Sequence, residues 1–417
     1  MNLVIGYVGL THLGINYAVA SAIKGFRVVC YDENENLILS LQKQKIPFFE
    51  KNLDKNLKKK FKYFKFTSKI KDLSKCDLVF ISKDVPTNSS GRSNLNPIKK
   101  LISKVTKSIR KNCSLIILCQ VPPGFCRSIN WPKHNLFYQV ETLIFSKAQK
   151  RALYPERIII GKSKNNLSKK YFYYLKKFKC PVIQMNYESA ELAKISINIF
   201  LISQITSSNI LSEIAENVGA KWKPISQALK LDKRIGKFAY LKPGLGISGG
   251  NLERDLETLR KFSKFNNIYH SYSNNLKNIS EYRKNWIYKK FLKIRNINKN
   301  IKRIGILGLA YKEGTNSIKN SPSISFINKV LPNHKIKLNV FDPKIKKLYK
   351  LKKLNICKNI EQVVSQSDLL IIATPWKNFK KIDVSKHSNI KKIIDPYNHL
   401  DLSVNKIQKS KYIVMGA

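Results

Sequence analysis

Acidic residues are scarce in this chain: 26 Asp and Glu stand against 78 Lys and Arg, a formal charge of +52 over 417 residues. Such an imbalance ordinarily points to nucleic acid or an anionic membrane surface. Here the lysines are spread along the whole chain among asparagine and isoleucine, and no helix-turn-helix, zinc-finger or aromatic stacking signal accompanies runs such as KKK at 58–60. They read as solvated helix faces, and nucleic acid is not expected as a partner. Paired cysteines are also missing. Seven cysteines without CxxC spacing argue against a disulfide framework and a zinc site, and leave buried, reduced thiols. No uninterrupted apolar run approaches a membrane span, and NLVIGYVGL at 2–10 carries no basic region or cleavage site, so neither membrane insertion nor export is expected and the cytoplasm is the expected compartment.

What is present is ordinary globular material, 43% hydrophobic and long enough for two or three domains. Short apolar runs alternate with amphipathic stretches: LVIGYV at 3–8, RVVCY at 27–31, LVFIS at 78–82, SLIILC at 114–119 and RIIIG at 157–161. A second series, RIGILGLAY, KLNVFDP, LLIIATPW and KKIIDPYN, follows an Asn/Lys/Ser-rich stretch at about 265–300. Strands separated by helices imply parallel, doubly wound sheets. Between the two series, residues from Glu188 to about Val218 are apolar at helical spacing and end at Gly219, which predicts one long helix. The fold class expected is α/β, two Rossmann-like doubly wound parallel-sheet domains joined by a central helical dimerisation region.

The first run leads into VIGYVG. Gly6 and Gly9 take the second and third places of a dinucleotide fingerprint, Tyr7 and Val8 lie between them, and Val4 stands where the first glycine is usual. Asp32 ends the next strand close to the roughly 20-residue spacing of a ribose-binding acid. It would accept the ribose hydroxyls and repel a 2′-phosphate, so NAD is expected ahead of NADP. His12 reads as an incidental turn residue.

Nine motifs in order then carry a resemblance: GYVGL (6–10), VPT (85–87), VPPG (121–124), PERIIIG (155–161), AELAKISIN (190–198), RIG (234–236), PGLGISGG (243–250), GLAYKEGTNSIKNSP (308–322) and ATPWKNF (373–379). Together the sequence resembles the UDP-glucose/GDP-mannose dehydrogenase family of NAD-dependent nucleotide-sugar dehydrogenases. The resemblance implies an NAD-binding domain over 1–185, a central helical dimerisation and active-site region over 186–298, and a nucleotide-sugar-binding domain over 299–417. It implies oxidation of a sugar primary alcohol to the aldehyde and then the acid, with a cysteine capturing the aldehyde, and a homodimer as the working form.

Lys194 and Asn198 are four apart on the expected helix and share a face. The resemblance gives them the task of holding a water and steadying oxyanion charge, and gives Glu141 general acid/base work. Four residues after Glu141, where the family commonly has a second glutamate, this chain has Phe145; Gln120 stands for a threonine before VPPG. Thr87 and Gln120 join the cofactor-side residues, with Lys319 in place of an arginine. On the substrate side the resemblance implies Tyr240, Gly246, Gly249 and Lys312, with Arg234 completing a partner's site.

Aligned back from Asp255, which matches the family's acid, the cysteine's place falls on Asn251. An amide cannot form the adduct a thiolate forms. The function expected is NAD-dependent oxidation of a UDP-hexose-like sugar toward a uronic acid, with a single two-electron oxidation left open. The alternative is a catalytically impaired NAD and nucleotide-sugar binding protein of the same fold.

Overall fold

The computed structural model describes residues 1–88, 91–164, 166–348, 354–401, 403 and 408–416. The chain divides into two compact units, Met1–Ile197 and Asn198–Ala417.

The first unit is built on eight strands: β1 (Val4–Val8), β2 (Arg27–Tyr31), β3 (Phe64–Thr67), β4 (Leu78–Ile81), β5 (Ser114–Ile117), β6 (Leu136–Gln139), β7 (Ile158–Lys162) and β8 (Val182–Asn186). Their order across the sheet is β3-β2-β1-β4-β5-β6-β7-β8. β4 and β5 are buried along their whole length, as strands covered on both faces must be. Their side chains alternate between two cores. Phe80 and Ile116 pack with Ile5 and the tyrosines Tyr171 and Tyr174, while Val79, Ile81 and Ile117 pack with Ile98, Leu101 and Val105. One expectation fails, because β6 and β7 run antiparallel. The chain between them, with only the short helix Ala148–Leu153, turns back instead of crossing over.

The second unit holds β9 (Arg303–Leu307), β10 (Lys337–Phe341), β11 (Leu354–Ile356), β12 (Leu369–Ile372), β13 (Lys392–Ile394) and β14 (Tyr412–Ile413), ordered β11-β10-β9-β12-β13-β14 and parallel throughout. Its Asn/Lys/Ser-rich stretch is mostly folded: the helices Ser271–Lys284 and Trp286–Ile297 bury Leu276, Arg283, Trp286 and Phe291.

Both sheets use the same device at the first strand's end. Gly9 has φ +87° and Gly308 φ +98°, and a Cβ on either would lie 2.4 Å from the Cβ of Lys83 or Thr374. Only glycine satisfies both demands. A carboxylate at the tip of the neighbouring strand then holds the next amide. Asp32 Oδ2 accepts from Leu10 N at 2.7 Å and its Oδ1 from Asn34 N at 3.0 Å. Asp342 Oδ2 accepts from Leu309 N (2.7 Å), Ala310 N (3.0 Å) and Trp376 Nε1 (3.2 Å), and its Oδ1 from Lys344 N (2.8 Å).

The long helix forms as predicted, Tyr187–Asn217, with Gly219 at φ +74° beyond its end. By length and composition alone it is the one helix among the described residues apolar enough to cross a membrane, a test that a core helix of a globular protein also passes. Its end charges are engaged in packing, Glu188 with Arg127 in the first unit and Glu213 with Arg283 in the second.

Candidate active site

The dinucleotide turn lies further along the chain than the spacing suggested. Val4–Val8 is strand, because it is the apolar run available to span the sheet before the first helix. Gly6 is therefore a packing residue, since a Cβ there would press within 3.0 to 3.2 Å of Val79, Cys76 and Leu73. Tyr7 and Val8 are fully buried, and the Tyr7 hydroxyl sits among Ser21 Oγ (2.8 Å) and the Tyr174 hydroxyl (3.0 Å), not at a ligand. The turn proper is GLTHLG, with Gly9 first, Thr11 in the middle place, and Gly14 last, where a Cβ would meet Gly9 O at 2.3 Å. Gly14 thus permits the close packing of the helix His12–Ile23 on the turn.

The turn fits a dinucleotide. Thr11 Oγ1 donates to Ser82 O at 3.1 Å, which draws its side chain toward β4, and the helix start carries no side-chain cap on its first amides. Free amides at a helix N-terminus suit a pyrophosphate, and Asp32 stands at the tip of β2, where a ribose-binding acid is expected. His12 is not incidental: its Nε2 lies 2.9 Å from Glu50 Oε2 and its ring stacks on Phe145 at 4.2 Å between centroids.

Beyond the ends of β4 and β5, Thr87 bridges to Ser93 and Gln120 is buried. Glu141 follows β6. Its Oε2 accepts from Leu143 N at 3.0 Å, and its Oε1 is 2.7 Å from Lys194 Nζ, with side chains 13% and 8% exposed. The first unit therefore joins two of the expected catalytic groups in a buried ion pair. One turn before Lys194, Glu191 is fully buried and accepts from Gly124 N (2.6 Å) and Cys126 N (2.8 Å), so it holds the VPPG turn. Burial pushes its carboxyl up while the two amides pull it down. Sequence reasoning passed over it; the signal was an acid inside an apolar helix, three places from a lysine.

In the second unit Asn198 Nδ2 donates to Asp255 Oδ2, and both residues are buried. Asn251 is the exposed first residue of the helix Asn251–Phe265. The loop before it is clamped. Gly249 (φ +83°) donates to Lys319 O at 3.1 Å and accepts from Asn320 Nδ2 at 3.2 Å, and a Cβ on it would strike the Tyr311 ring at 2.9 Å. Gly246 (φ +75°) is pressed in the same way against Ser280 O, 2.5 Å from its Cβ position. The Lys319 ammonium comes within 3.5 Å of where a Cβ on Gly250 would be, beside Asn251. Glu253 is bound to the buried Lys284 at 2.9 Å; burial pushes its carboxyl up and Lys284 draws it back. Lys312 Nζ lies over the Tyr311 ring at 5.6 Å. Tyr240 is 43% exposed and held by its backbone to Gln204 and Ser208. Arg234 is not brought to this group. Its side chain is 89% exposed, and its guanidinium lies on Asp232 at 2.6 and 3.0 Å.

All seven cysteines are free thiols, six of them buried. Desolvation pushes Cys30, Cys76, Cys113 and Cys126 up, and Glu191 adds to the effect at Cys126. Arg110 beside Cys76 and Cys113, Lys170 beside Cys113 and Lys133 beside Cys126 pull the other way, but burial outweighs them and none of these thiols is activated.

Comparison with known proteins adds three consecutive family matches. Residues 3–176 match the UDP-glucose/GDP-mannose dehydrogenase family, NAD binding domain; residues 188–282 its central domain; residues 305–402 its UDP binding domain. The chain is 29% identical over 432 residues to the UDP-glucose 6-dehydrogenase of Rickettsia bellii, covering 99% of both, and 25% identical to UDP-glucose 6-dehydrogenase TuaD of Bacillus subtilis, covering 98% of this chain and 92% of that one. In fold it is similar to a UDP-glucose dehydrogenase from Pyrobaculum islandicum (TM-score 0.85, 20% identity, 99% and 98% covered) and to the UDP-D-ManNAc dehydrogenase of Pyrococcus horikoshii (TM-score 0.86, 21% identity, 99% of each chain covered).

Proposed function

Because the chain belongs to the UDP-glucose/GDP-mannose dehydrogenase family, a family of NAD-dependent nucleotide-sugar dehydrogenases, we propose that it oxidises a UDP-hexose at a primary alcohol, first to the aldehyde and then, more slowly, to the uronic acid. The observation that carries this is the buried Glu141–Lys194 pair, a proton acceptor and a cation held together at 2.7 Å in the unit that also contains the dinucleotide turn.

The turn from Gly9 to Gly14 and Asp32 would hold NAD, which would supply the hydride acceptor. Each oxidation also releases one proton. In this reading Glu141 takes it as general base, and Lys194 Nζ steadies the oxyanion that forms as it leaves. Asn198, fixed by Asp255, presents a polar side chain one turn beyond Lys194 for holding water. Asn251 has no nucleophile to offer, so the second oxidation draws on the hydrated aldehyde. Incubation with NAD and a panel of UDP- and GDP-sugars tests the reading: NADH should form with a UDP-hexose. Binding of the sugar nucleotide without NADH would instead favour the impaired binding protein.

Cofactor choice follows from Asp32. Calorimetric titration should give NAD an affinity at least about tenfold above NADP, because the carboxylate meets the 2′-phosphate with like charge, and Asp32→Ala should narrow the gap. Equal affinities in the unmodified protein would remove Asp32 from this role.

We also propose a homodimer in the cytoplasm. Phe200, Ile214, Val218, Leu231 and Phe238 are between 51% and 85% exposed, more apolar surface than a lone protomer usually shows in one region of sequence. Arg234, exposed on the same stretch, would complete the partner's site. Arg234→Ala should raise KM for the sugar nucleotide about tenfold without changing Tm. Full activity in a protein that sediments as a monomer at micromolar concentration would contradict both statements.

A further inference from the structure

The deepest carboxylate near the dinucleotide turn has no task in the proposed reaction. Glu50 lies in the loop before the short helix Leu53–Lys59, and its side chain is 0% exposed. Enclosing a carboxylate is unfavourable unless both its oxygens are engaged. Here they are: Oε2 meets His12 Nε2 at 2.9 Å and accepts from Ser146 N at 3.0 Å, and Oε1 accepts from Ala148 N at 3.1 Å. One buried group thus ties together the first residue of the turn helix and the segment 141–148, which begins at Glu141. The tie is reinforced on both sides. His12 lies against Phe145 at 4.2 Å and Phe48 at 5.0 Å. Ser146 is held at φ +70°, a conformation that a non-glycine residue keeps only where its surroundings fix it.

We infer that His12 and Glu50 are positioning residues for Glu141, linking the dinucleotide turn to the segment that carries the proton acceptor. This rests on the role proposed above for Glu141. Lys194 holds the carboxylate itself at one end of the segment, and Glu50 anchors the other. The juxtaposition of His12 with Phe145 belongs to the same device: at these two places the chain has an imidazole and a ring that stack.

Three variants separate the possibilities. His12→Phe keeps the ring against Phe145 and removes the partner of Glu50, His12→Gln restores a donor, and Glu50→Gln keeps the shape while removing charge. Amide hydrogen exchange should show Ser146 and Ala148 losing protection in His12→Phe and regaining part of it in His12→Gln. In turnover, His12→Phe should lower kcat about 10- to 100-fold, the scale of a small misplacement of a reacting group, while NAD Kd measured by calorimetry moves less than about threefold. In a Glu141→Gln background the same change should cost little further, since both act through one group. Unchanged exchange at Ser146 and Ala148, full additivity with Glu141→Gln, or a weakened NAD Kd with kcat intact would each overturn the inference; the last would assign His12 to the cofactor. If the unmodified protein made no NADH from any UDP-sugar, the role of Glu141 would fall, and exchange alone would decide the anchoring.

Discussion

Lys194→Ala is expected to lower kcat by about a hundred- to a thousandfold, the range seen when a group that stabilises developing oxyanion charge is removed. The side chain is 8% exposed and its ammonium lies 2.7 Å from Glu141 Oε1, so nothing in solvent replaces it. Stability should also fall by about 3 to 5 kcal/mol, because the variant leaves a mostly buried carboxylate without its countercharge. The two effects can be separated. Lys194→Met with Glu141→Gln removes both charges together and should recover much of the lost Tm while recovering no turnover. A double variant that regained activity with stability would mean that the pair serves the fold alone. Equal kcat in Lys194→Ala and the unmodified protein would remove Lys194 from the chemistry.

Asn251→Cys is expected to shift the product, raising the ratio of acid to aldehyde about tenfold. The thiolate would add to the aldehyde carbon, the hemithioacetal would pass its hydride to NAD and its hydroxyl proton to a base to become a thioester, and water would release the acid and return the thiol; an amide offers no such route. The position suits a thiolate, since Asn251 is the exposed first residue of the helix Asn251–Phe265, where the helix dipole lowers a thiol's pKa. Cys119→Ser and Cys126→Ser should leave turnover largely intact, because both thiols are enclosed in the first unit's core and Cys126 is held protonated by burial and by Glu191. Mass spectrometry after substrate exhaustion, with NADH counted per sugar, decides the matter. Two NADH per sugar in the unmodified protein, lost on changing Cys119 or Cys126, would show that the nucleophile had moved to one of them.

The parts of the molecule legible in the sequence are those where one local pattern suffices. Buried strands such as LVFI and LLII announce themselves as unbroken apolar runs, and the long helix declares its period and its terminal glycine. The dinucleotide turn was misplaced because GYVG carries a motif by letter while its residues are needed as strand. Only the packing of Tyr7 against Ser21 and Tyr174, residues distant in sequence, decides between them. Edge strands were missed for a similar reason: VIQMN in β8 is half exposed and mixed in polarity, so neither period stands out. Lys194 was legible through its helical spacing from Asn198 and the motif around it. Glu191 and Glu50 were not, since their partners are backbone amides 65 and 98 residues away and leave no trace in local composition.

The repeated turn device also says which of the two sheets can read a ribose. An ionised carboxylate has about four lone-pair directions to give. Asp342 meets four donors from its own chain, three of them crowded on Oδ2, which leaves a single direction, on Oδ1. Asp32 meets two, one on each oxygen, and keeps two directions open at the tip of β2. A vicinal diol needs two acceptors in one place. The two turns are alike in backbone, yet by valence only the first has room for the sugar of a dinucleotide; the second is a structural copy whose nucleotide, if it holds one there, must be recognised through other groups.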